Sequence, residues 1–298
     1  MRFFRRALIV VVGLFFLGLC GVCEVFCQST LKVPRRYPTV PILSQPGDDP
    51  SWRTVMIPAR DHARLEASFV TPAQHTNKCV LMVHGIGYTR DGMKGFVPLF
   101  TSHGYRVLLP DDRAHGNSGG DLITYGLLEK YDVIDWAHWM RSEGCQTIDA
   151  LGESLGASIL IQSAAVDSIF QAIVAECPYS ELRTEGEYDV QQMHQWPEWV
   201  NKPFSEVMVE CAFLYARVRF GVDLSDVSPL KDIAHTKTPI LLIHGMDDLK
   251  TPYWNSEVLA KANSLTGLWL VPDTGHVDAS GTHLEEFNRR VLDWFSRT

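Results

Sequence analysis

Hydrophobic residues along this chain form short continuous runs that alternate with segments of helical spacing. The runs "KCVLMVHG", "YRVLLPD", "TIDALGE", "QAIVAECP", "PILLIHG" and "LWLVPD" are typical of strands buried on both faces of a sheet. Segments between them, such as "LLEKYDVIDWAHWMRSEG", place apolar residues three and four positions apart, as amphipathic helices do. Before this alternation, "RTVMIP" and "RLEASFVTP" predict an antiparallel pair. The pattern therefore predicts an α/β fold with a mostly parallel sheet covered by helices on both faces.

The first 27 residues differ from the rest of the chain. Arg2, Arg5 and Arg6 precede a run of 17 uncharged residues over positions 7–23. This run is longer than the roughly 7–15 residues of a signal-peptide core and reaches the short end of the roughly 17–25 that span a bilayer. We predict an uncleaved membrane anchor over residues 1–27, with a cleaved signal peptide as the alternative. Either interpretation places the rest of the chain outside the cytoplasm, membrane-anchored in the first case and secreted or periplasmic in the second.

The remaining chain divides into a short linker and one globular domain. Residues 28–52 carry five prolines among polar residues and predict a semi-extended tether. Residues 53–298 form the predicted domain, and 46% hydrophobic residues overall are enough for a large core. The net charge of −8 argues against a nucleic-acid partner, because such proteins present a basic face.

Four cysteines lie in the predicted domain: Cys79, Cys145, Cys177 and Cys211. An exported domain could pair some of them, and Cys79 and Cys145 each lie just before a predicted strand. Buried free thiols are the alternative, because free cysteine is commonly buried. The sequence leaves both interpretations open.

A serine stands between two glycines where a predicted strand meets a predicted helix, in Gly152-Glu153-Ser154-Leu155-Gly156. Glycines at these positions allow a sharp turn that exposes the hydroxyl above the sheet. The backbone N–H of Leu155 begins the helix and is directed to where an oxyanion would form. Ser154 is therefore the predicted nucleophile, and Leu155 the first predicted oxyanion-hole residue.

A nucleophilic serine needs a histidine base and an acid that orients the histidine. In this architecture the acid and then the histidine follow the serine, each just after a later strand. The segment "PILLIHGMDDLKTP" offers Asp247 and Asp248, and "LWLVPDTGH" ends at His276. Asp273 is the weakest candidate for the acid because it shares a loop with His276.

These motifs resemble the α/β-hydrolase superfamily, and more closely its serine aminopeptidase-like and lysophospholipase-like members. The acid of that group stands in an "HGxxDxxxP" pattern, which selects Asp248 here, and the group's "GH" near the C-terminus matches Gly275-His276. The resemblance covers residues 53–295 and implies an α/β-hydrolase fold with an eight-stranded sheet. It therefore implies a triad of Ser154, Asp248 and His276.

The same resemblance implies roles for two further loops. The second oxyanion donor would be the amide of Ile86, with Gly87 as the alternative. The segment "DDRAHGNSGG" is similar to the family's "DxRxHGxS" segment, which implies that Arg113 and His115 brace the site. A metal site at this segment is the weaker interpretation, because neither HExxH nor Cys/His ligand spacing occurs in the sequence. We expect neither a metal nor a cofactor.

A long insertion, about residues 179–238, separates the last strands of the pattern. Its segment "FSEVMVECAFLYARVRF" predicts a helix that ends at Gly221, with one apolar face that we expect to pack against the domain. That face carries Phe204, Val207, Met208, Cys211, Leu214, Tyr215 and Val218. We predict a helical cap over Ser154, in which Trp196 and Trp199 shape an acyl or apolar pocket.

Serine at position 154 predicts acyl transfer to water, because relatives with other chemistry carry aspartate or cysteine there. The leading hypothesis is an extracytoplasmic serine hydrolase of carboxylic esters, with lipid or acyl esters among the candidates. An aminopeptidase or acyl-peptide hydrolase is the alternative, since Glu181, Glu185 and Glu187 could bind a substrate ammonium. A non-catalytic binding protein on this fold is disfavoured because no triad residue is missing. The expected partners are a small ester, lipid or short peptide and, through the N-terminal segment, a membrane.

Overall fold

The computed structural model describes residue 18 and residues 20–39, 50–74, 76–193 and 196–297 of the chain. Most of the predicted anchor, at residues 1–17 and 19, and the tether residues 40–49 lie outside the described residues. Within the described ranges, no helix combines the length and the apolar composition needed to cross a bilayer.

One sheet of eight strands, in the order β1-β2-β4-β3-β5-β6-β7-β8, organises the domain. The strands are β1 (Ser51–Pro58), β2 (Arg64–Thr71), β3 (Lys78–Val83), β4 (Arg106–Pro110), β5 (Thr147–Glu153), β6 (Ile173–Glu176), β7 (Ile240–Gly245) and β8 (Thr266–Val271). Strand β2 pairs antiparallel with β1 and β4, and all other neighbours are parallel. The predicted mostly parallel eight-stranded sheet with an antiparallel opening pair is confirmed.

Helices cover both faces of this sheet. The α-helices of the described residues, including those of the inserted segment, are α1 (20–31), α2 (Val97–Ser102), α3 (Glu129–Ser142), α4 (Leu155–Val166), α5 (Leu182–Gln192), α6 (Glu198–Phe220), α7 (Pro229–Ile233), α8 (Trp254–Ala262), α9 (Ala279–Thr282) and α10 (Leu284–Ser296). Along β3, Leu81 and Val83 share a hydrophobic cluster with α3 and α4, whereas Val80 and Met82 share another with α2 and α10. Successive side chains of a strand point to opposite faces, so these continuous apolar runs reflect burial on both sides.

The inserted segment folds into α5, α6 and α7, but α6 packs differently from the expectation. Gly221 ends α6 in the left-handed conformation, with φ of 71°, as the sequence predicts. The face of α6 that is buried carries the smaller side chains Val209, Ala212 and Ala216. The predicted apolar face packs only in part: Tyr215 packs against the main hydrophobic cluster, whereas Val207, Leu214 and Val218 are exposed. Small residues allow the helix to approach its neighbours closely.

Helix α1 packs against α6 rather than standing apart from the domain. The Sγ atom of Cys27 lies 3.5 Å from the carbonyl oxygen of Ala212, and the Tyr215 hydroxyl donates to Glu24 at 2.5 Å. Leu31 is fully buried in the main hydrophobic cluster. Helix α1 is therefore packed as an integral part of the domain. The boundary between anchor and tether at residue 27 stays a prediction.

The chain after α1 follows the surface of the domain without regular secondary structure over residues 33–39. The guanidinium of Arg35 donates to the carbonyl oxygens of Gly116 and Gly120, at 3.3 and 2.8 Å. Strand β1 then begins at Ser51, just before the predicted domain boundary at residue 53.

A disulfide joins Cys79 in β3 to Cys145, which lies between α3 and β5, with their Cα atoms 5.8 Å apart. It resolves the question that the sequence leaves open for these two residues. Cys177 and Cys211 are free thiols.

We expect this disulfide to contribute about 4 kcal/mol to the free energy of unfolding, because it links residues 66 positions apart and so restricts the unfolded chain. Urea denaturation of the wild-type protein, with and without a thiol reductant, measures this contribution. The Cys79→Ala/Cys145→Ala variant serves as the control, because the reductant should leave its unfolding midpoint unchanged. An unchanged midpoint in the reduced wild type would contradict the expectation.

Candidate active site

Ser154 occupies the strained turn between β5 and α4. Its φ and ψ are 54° and −115°, a conformation that costs on the order of 1–3 kcal/mol for a residue with a side chain. The backbones around the turn are very close: a Cβ atom on Gly156 would lie 2.3 Å from the carbonyl oxygen of Val83. A Cβ atom on Gly152 would lie 2.7 Å from Gly156. The two glycines therefore permit the turn that presents the serine hydroxyl beyond the end of β5.

The structure brings the three predicted triad residues together at the carboxyl ends of β5, β7 and β8. The Oγ atom of Ser154 lies 2.8 Å from Nε2 of His276, and Nδ1 of His276 lies 2.6 Å from Oδ2 of Asp248. Because Nδ1 faces a carboxylate, it carries the proton, and Nε2 is the acceptor for the serine hydroxyl. Asp247 and Asp273 are exposed and make no hydrogen bond to His276 within the described part of the chain.

The Asp248 carboxylate is buried but fully supplied with hydrogen bonds. Burial alone would raise its pKa, but hydrogen bonds from His244 and His276 lower that pKa well below the ordinary value. The backbone amides of Lys250 and Thr251 also donate to Oδ1, each at 2.9 Å. Asp248 therefore stays ionised. His244, at the end of β7, thus contacts the acid directly, with its Nε2 atom 3.3 Å from Oδ2 of Asp248.

The two residues predicted to supply oxyanion donors, Leu155 and Ile86, both line the cavity that contains Ser154. Leu155 is the first residue of α4, so its N–H has no partner within the helix. Ile86 follows β3 and lines the same cavity as Ser154. The N–H of Gly87 donates to Nε2 of His115 at 3.1 Å and is therefore already engaged. This contact favours Ile86 over Gly87 as the second donor.

Two buried histidines hold the loop that carries Ile86. The Nδ1–H of His115 donates to the carbonyl of Arg113 at 3.0 Å, which leaves Nε2 free to accept from the Gly87 amide. His84 similarly accepts the N–H of Asp112 at 3.1 Å. Burial lowers the pKa of both histidines to about 4, so both are neutral at pH 7.

The segment that the sequence identifies as a brace is buried behind this loop. Nε and Nη2 of Arg113 donate to both oxygens of Asp132 in α3, at 2.7 and 2.8 Å. Because Nε2 of His115 already accepts the Gly87 amide, the alternative metal site there gains no support. Within the described residues, the three side chains of metal-ligating type whose ligand atoms lie within 4.8 Å of one another are Cys177, Asp248 and His276, and two of these belong to the predicted triad.

Ser154 lies between two cavities of different character. One is predominantly apolar and is enclosed by α1, α4, α5 and α6, with Leu155, Leu182 and Val209 in its lining. The other is a more polar cleft that includes Glu153 and His276. Burial and the nearby Glu176 raise the pKa of Glu153 to about 8, so this carboxyl is largely protonated at pH 7.

The aromatic lining of the apolar cavity differs from the expectation. Trp199 is 79% exposed, and neither it nor Trp196 lines the cavity. The aromatic residues that do line it are Phe26, Tyr125, Tyr179 and Phe213. No local signal in the sequence could have identified Phe26, because it belongs to the segment predicted as an anchor.

Only one of the three glutamates considered for ammonium binding lines the apolar cavity. Glu185 lines the apolar cavity, whereas Glu181 and Glu187 do not. Burial raises the pKa of Glu185 to about 7, although Thr251 donates to its carboxylate at 2.6 Å. Asp189, one helical turn further along α5, lines the cavity as well and was not found from the sequence.

The fold and the site together define an α/β hydrolase, and comparison with known proteins agrees. The chain belongs to the alpha/beta hydrolase family, whose model matches residues 80–293. It is similar to the uncharacterized protein YqkD of Bacillus subtilis, with 26% identity over 244 residues, 80% of this chain and 77% of that protein. It is also similar to the uncharacterized protein YfhR of Escherichia coli, with 24% identity over 259 residues, 83% of this chain and 82% of that protein.

Solved structures share the same fold. The esterase Pf2001 of Pyrococcus furiosus aligns with a TM-score of 0.69 and 25% identity, covering 90% of this chain and 97% of the esterase. An acylaminoacyl peptidase aligns with a TM-score of 0.64 and 19% identity, covering 84% of this chain and 42% of the peptidase. These likenesses support an enzyme of the hydrolase class.

The two neutral histidines predict a loss of stability in acid. An unfolded histidine takes up a proton near pH 6.5, whereas His115 and His84 in the folded protein do so near pH 4, so protonation favours the unfolded chain between these values. His115→Gln keeps an acceptor for Gly87 but does not titrate. We expect this variant to reduce the difference in unfolding free energy between pH 7 and pH 5 by about 2 kcal/mol.

Urea denaturation at the two pH values measures this effect. His138→Gln, which replaces an exposed histidine of α3, is the matched control and should behave as the wild type does. A pH difference in His115→Gln equal to that of the wild type would contradict the assignment of a neutral His115.

Proposed function

We propose that this protein is a serine hydrolase that cleaves carboxylic esters through an acyl-enzyme. The observation that carries the proposal is the hydrogen-bonded series Ser154, His276 and Asp248, with contacts of 2.8 and 2.6 Å. Ser154 attacks the ester carbonyl while His276 accepts its proton, and Asp248 orients and stabilises the imidazolium. The amides of Ile86 and Leu155 stabilise the oxyanion. His276 then protonates the departing alcohol, and water repeats the same steps to release the acid.

The two cavities beside Ser154 suggest how an ester would bind. An acyl chain fits the apolar cavity, where burial of its methylene groups provides affinity. The alcohol portion fits the more polar cleft next to His276, from which it can leave. The likeness to an enzyme described as an esterase supports the same chemistry. Acyl and lipid esters are therefore the substrates that we propose.

The proposal predicts that Ser154→Ala and Asp248→Asn each abolish most ester hydrolysis. Loss of the acid in a comparable triad lowers kcat about 10⁴-fold, because the histidine is no longer held in the required tautomer. The full-length protein would be assayed with p-nitrophenyl esters of increasing acyl length. Asp247→Asn, which replaces the exposed neighbouring acid, is the matched control and should retain wild-type turnover. Turnover that survives Ser154→Ala would refute the proposed nucleophile.

An aminopeptidase or acyl-peptide hydrolase is a second candidate, favoured by a specific observation. Glu185 and Asp189 place two carboxyl groups in the wall of a predominantly apolar cavity, which Lys250 also lines, and these carboxyl groups could bind a substrate ammonium. Aminoacyl naphthylamides in the same assay separate the two candidates. Amide cleavage without a preference for esters would favour the peptidase, and no Ser154-dependent turnover of either substrate would favour a non-catalytic protein.

We also propose that the domain works outside the cytoplasm and is held at a membrane by its N-terminal segment. A disulfide between Cys79 and Cys145 is typical of oxidising compartments. The uncharged run over residues 7–23, preceded by arginines, supports the membrane attachment. Val25 on α1 and Leu214 on the adjacent α6 are both exposed, as residues near a lipid surface can be.

Trapping thiols in intact cells tests this location. Intact cells would be quenched in acid and their thiols alkylated under denaturing conditions, because Cys79 and Cys145 are buried in the folded protein. These two cysteines should then be unmodified and disulfide-linked, and the free thiol Cys211 should be alkylated. The protein should also sediment with membranes until detergent is added. Recovery of both cysteines in alkylated form from the soluble fraction would refute the proposed location.

A further inference from the structure

One wall of the apolar cavity beside Ser154 comes from α1. Phe26, Cys27, Thr30 and Leu31 all line this cavity, although they belong to the part of the chain predicted as anchor and tether. The cavity is otherwise enclosed by the cap and by the loops at the ends of the strands. Helix α1 is therefore part of the surface that a bound substrate would contact.

The spacing of side chains along α1 explains how it can act as a wall. Cys27 and Leu31, four residues apart, are 2% and 1% exposed and fix the helix to the core. Phe26 and Thr30 form the neighbouring row and line the cavity, with Phe26 only partly buried. Val25 points away from the domain and is 71% exposed. Helix α1 thus has a buried row of side chains that packs on the core, a neighbouring row that lines the cavity, and a row that is exposed.

Polar contacts fix the position of this wall. The hydroxyl of Tyr125, itself a lining residue, donates to the carbonyl of Thr30 at 3.0 Å. The Ile123 amide donates to the carbonyl of Leu31 at 2.9 Å. These bonds join the last turn of α1 to the segment between β4 and α3. Phe26 is therefore held at a defined place on the cavity surface.

We propose that α1 determines which acyl chains the site accepts, and that Phe26 is the residue that limits their length. The inference rests on the proposed ester hydrolysis. Phe26 is the largest α1 residue in the lining of the cavity that contains Ser154, so its side chain is part of the wall that a long acyl chain would meet. The selectivity then requires a chain that keeps its N-terminal segment, because cleavage after Phe26 would remove this part of the wall.

The test compares two adjacent residues of the full-length protein, Phe26→Ala and Val25→Ala. Each additional methylene that gains a buried position is worth about fourfold in kcat/KM. We expect Phe26→Ala to raise the ratio of kcat/KM for p-nitrophenyl decanoate over acetate at least about tenfold, since the lost ring leaves room for several methylenes. Val25→Ala should keep the wild-type ratio, because Val25 is 71% exposed and is not among the residues that line the cavity.

A larger side chain provides the opposite change. Phe26→Trp should lower the decanoate-to-acetate ratio and shift the preferred chain to a shorter one. If circular dichroism shows that Phe26→Ala is unfolded, Phe26→Trp alone tests whether Phe26 limits the length of the acyl chain. Wild-type ratios in both Phe26 variants, or an equal loss of activity at all chain lengths, would overturn the inference.

A binding measurement separates this inference from the proposed activity. Displacement of the neutral fluorophore N-phenyl-1-naphthylamine by n-alkanols of increasing length reports the size of the cavity without any turnover. If the wild type hydrolyses no ester, the proposed function fails. A longer preferred alkanol in Phe26→Ala than in Val25→Ala would still support the inference that Phe26 limits the length of a bound chain. Equal preferences in the two variants would overturn that inference.

Discussion

The site depends on the close approach of two backbones at the end of the sheet. The first turn of α4 lies so near the end of β3 that a Cβ atom on Gly156 would overlap the carbonyl oxygen of Val83. This approach forces Ser154 into a conformation with positive φ and directs its hydroxyl away from the sheet. The loop that carries Ile86 leaves β3 at the same place. One close contact therefore brings the serine and both candidate oxyanion amides together.

The electrostatics of the site divide into an ionised part and a neutral part. Asp248 is buried, yet hydrogen bonds from histidines and backbone amides keep its pKa low, so it can stabilise a charge that develops on His276. Behind the oxyanion loop, burial instead keeps His84 and His115 neutral, and each uses its lone pair to accept a backbone amide. Histidine thus serves two purposes within one site. Its surroundings, rather than its identity, decide which purpose applies.

The cavity beside Ser154 is assembled from parts of the chain that are remote from one another. Phe26 from α1, Leu182 from α5 and Val209 from α6 meet around it. Small residues along α6 allow α1 to pack closely against it. At Ala212, for example, the backbone carbonyl oxygen contacts the sulfur of Cys27. Glu185, Asp189 and Lys250 place charged groups in a predominantly apolar lining. Helix α1 and the cap together therefore set the shape of the cavity, and the two carboxyl groups in its wall come from α5.

The sequence by itself determined the parallel sheet and the turn at Ser154, because strand periodicity and the motif at the end of a strand are local patterns. Through its resemblance to a family, the sequence also singled out Asp248 and His276 as the expected partners of Ser154. It did not determine which face of α6 packs, that α1 lines the cavity, or that Cys79 pairs with Cys145. Those features depend on contacts between residues as far apart as Cys27 and Ala212. Apolar spacing shows that a helix has a face to bury. Only the tertiary structure decides what that face meets, because packing selects the shapes that fit.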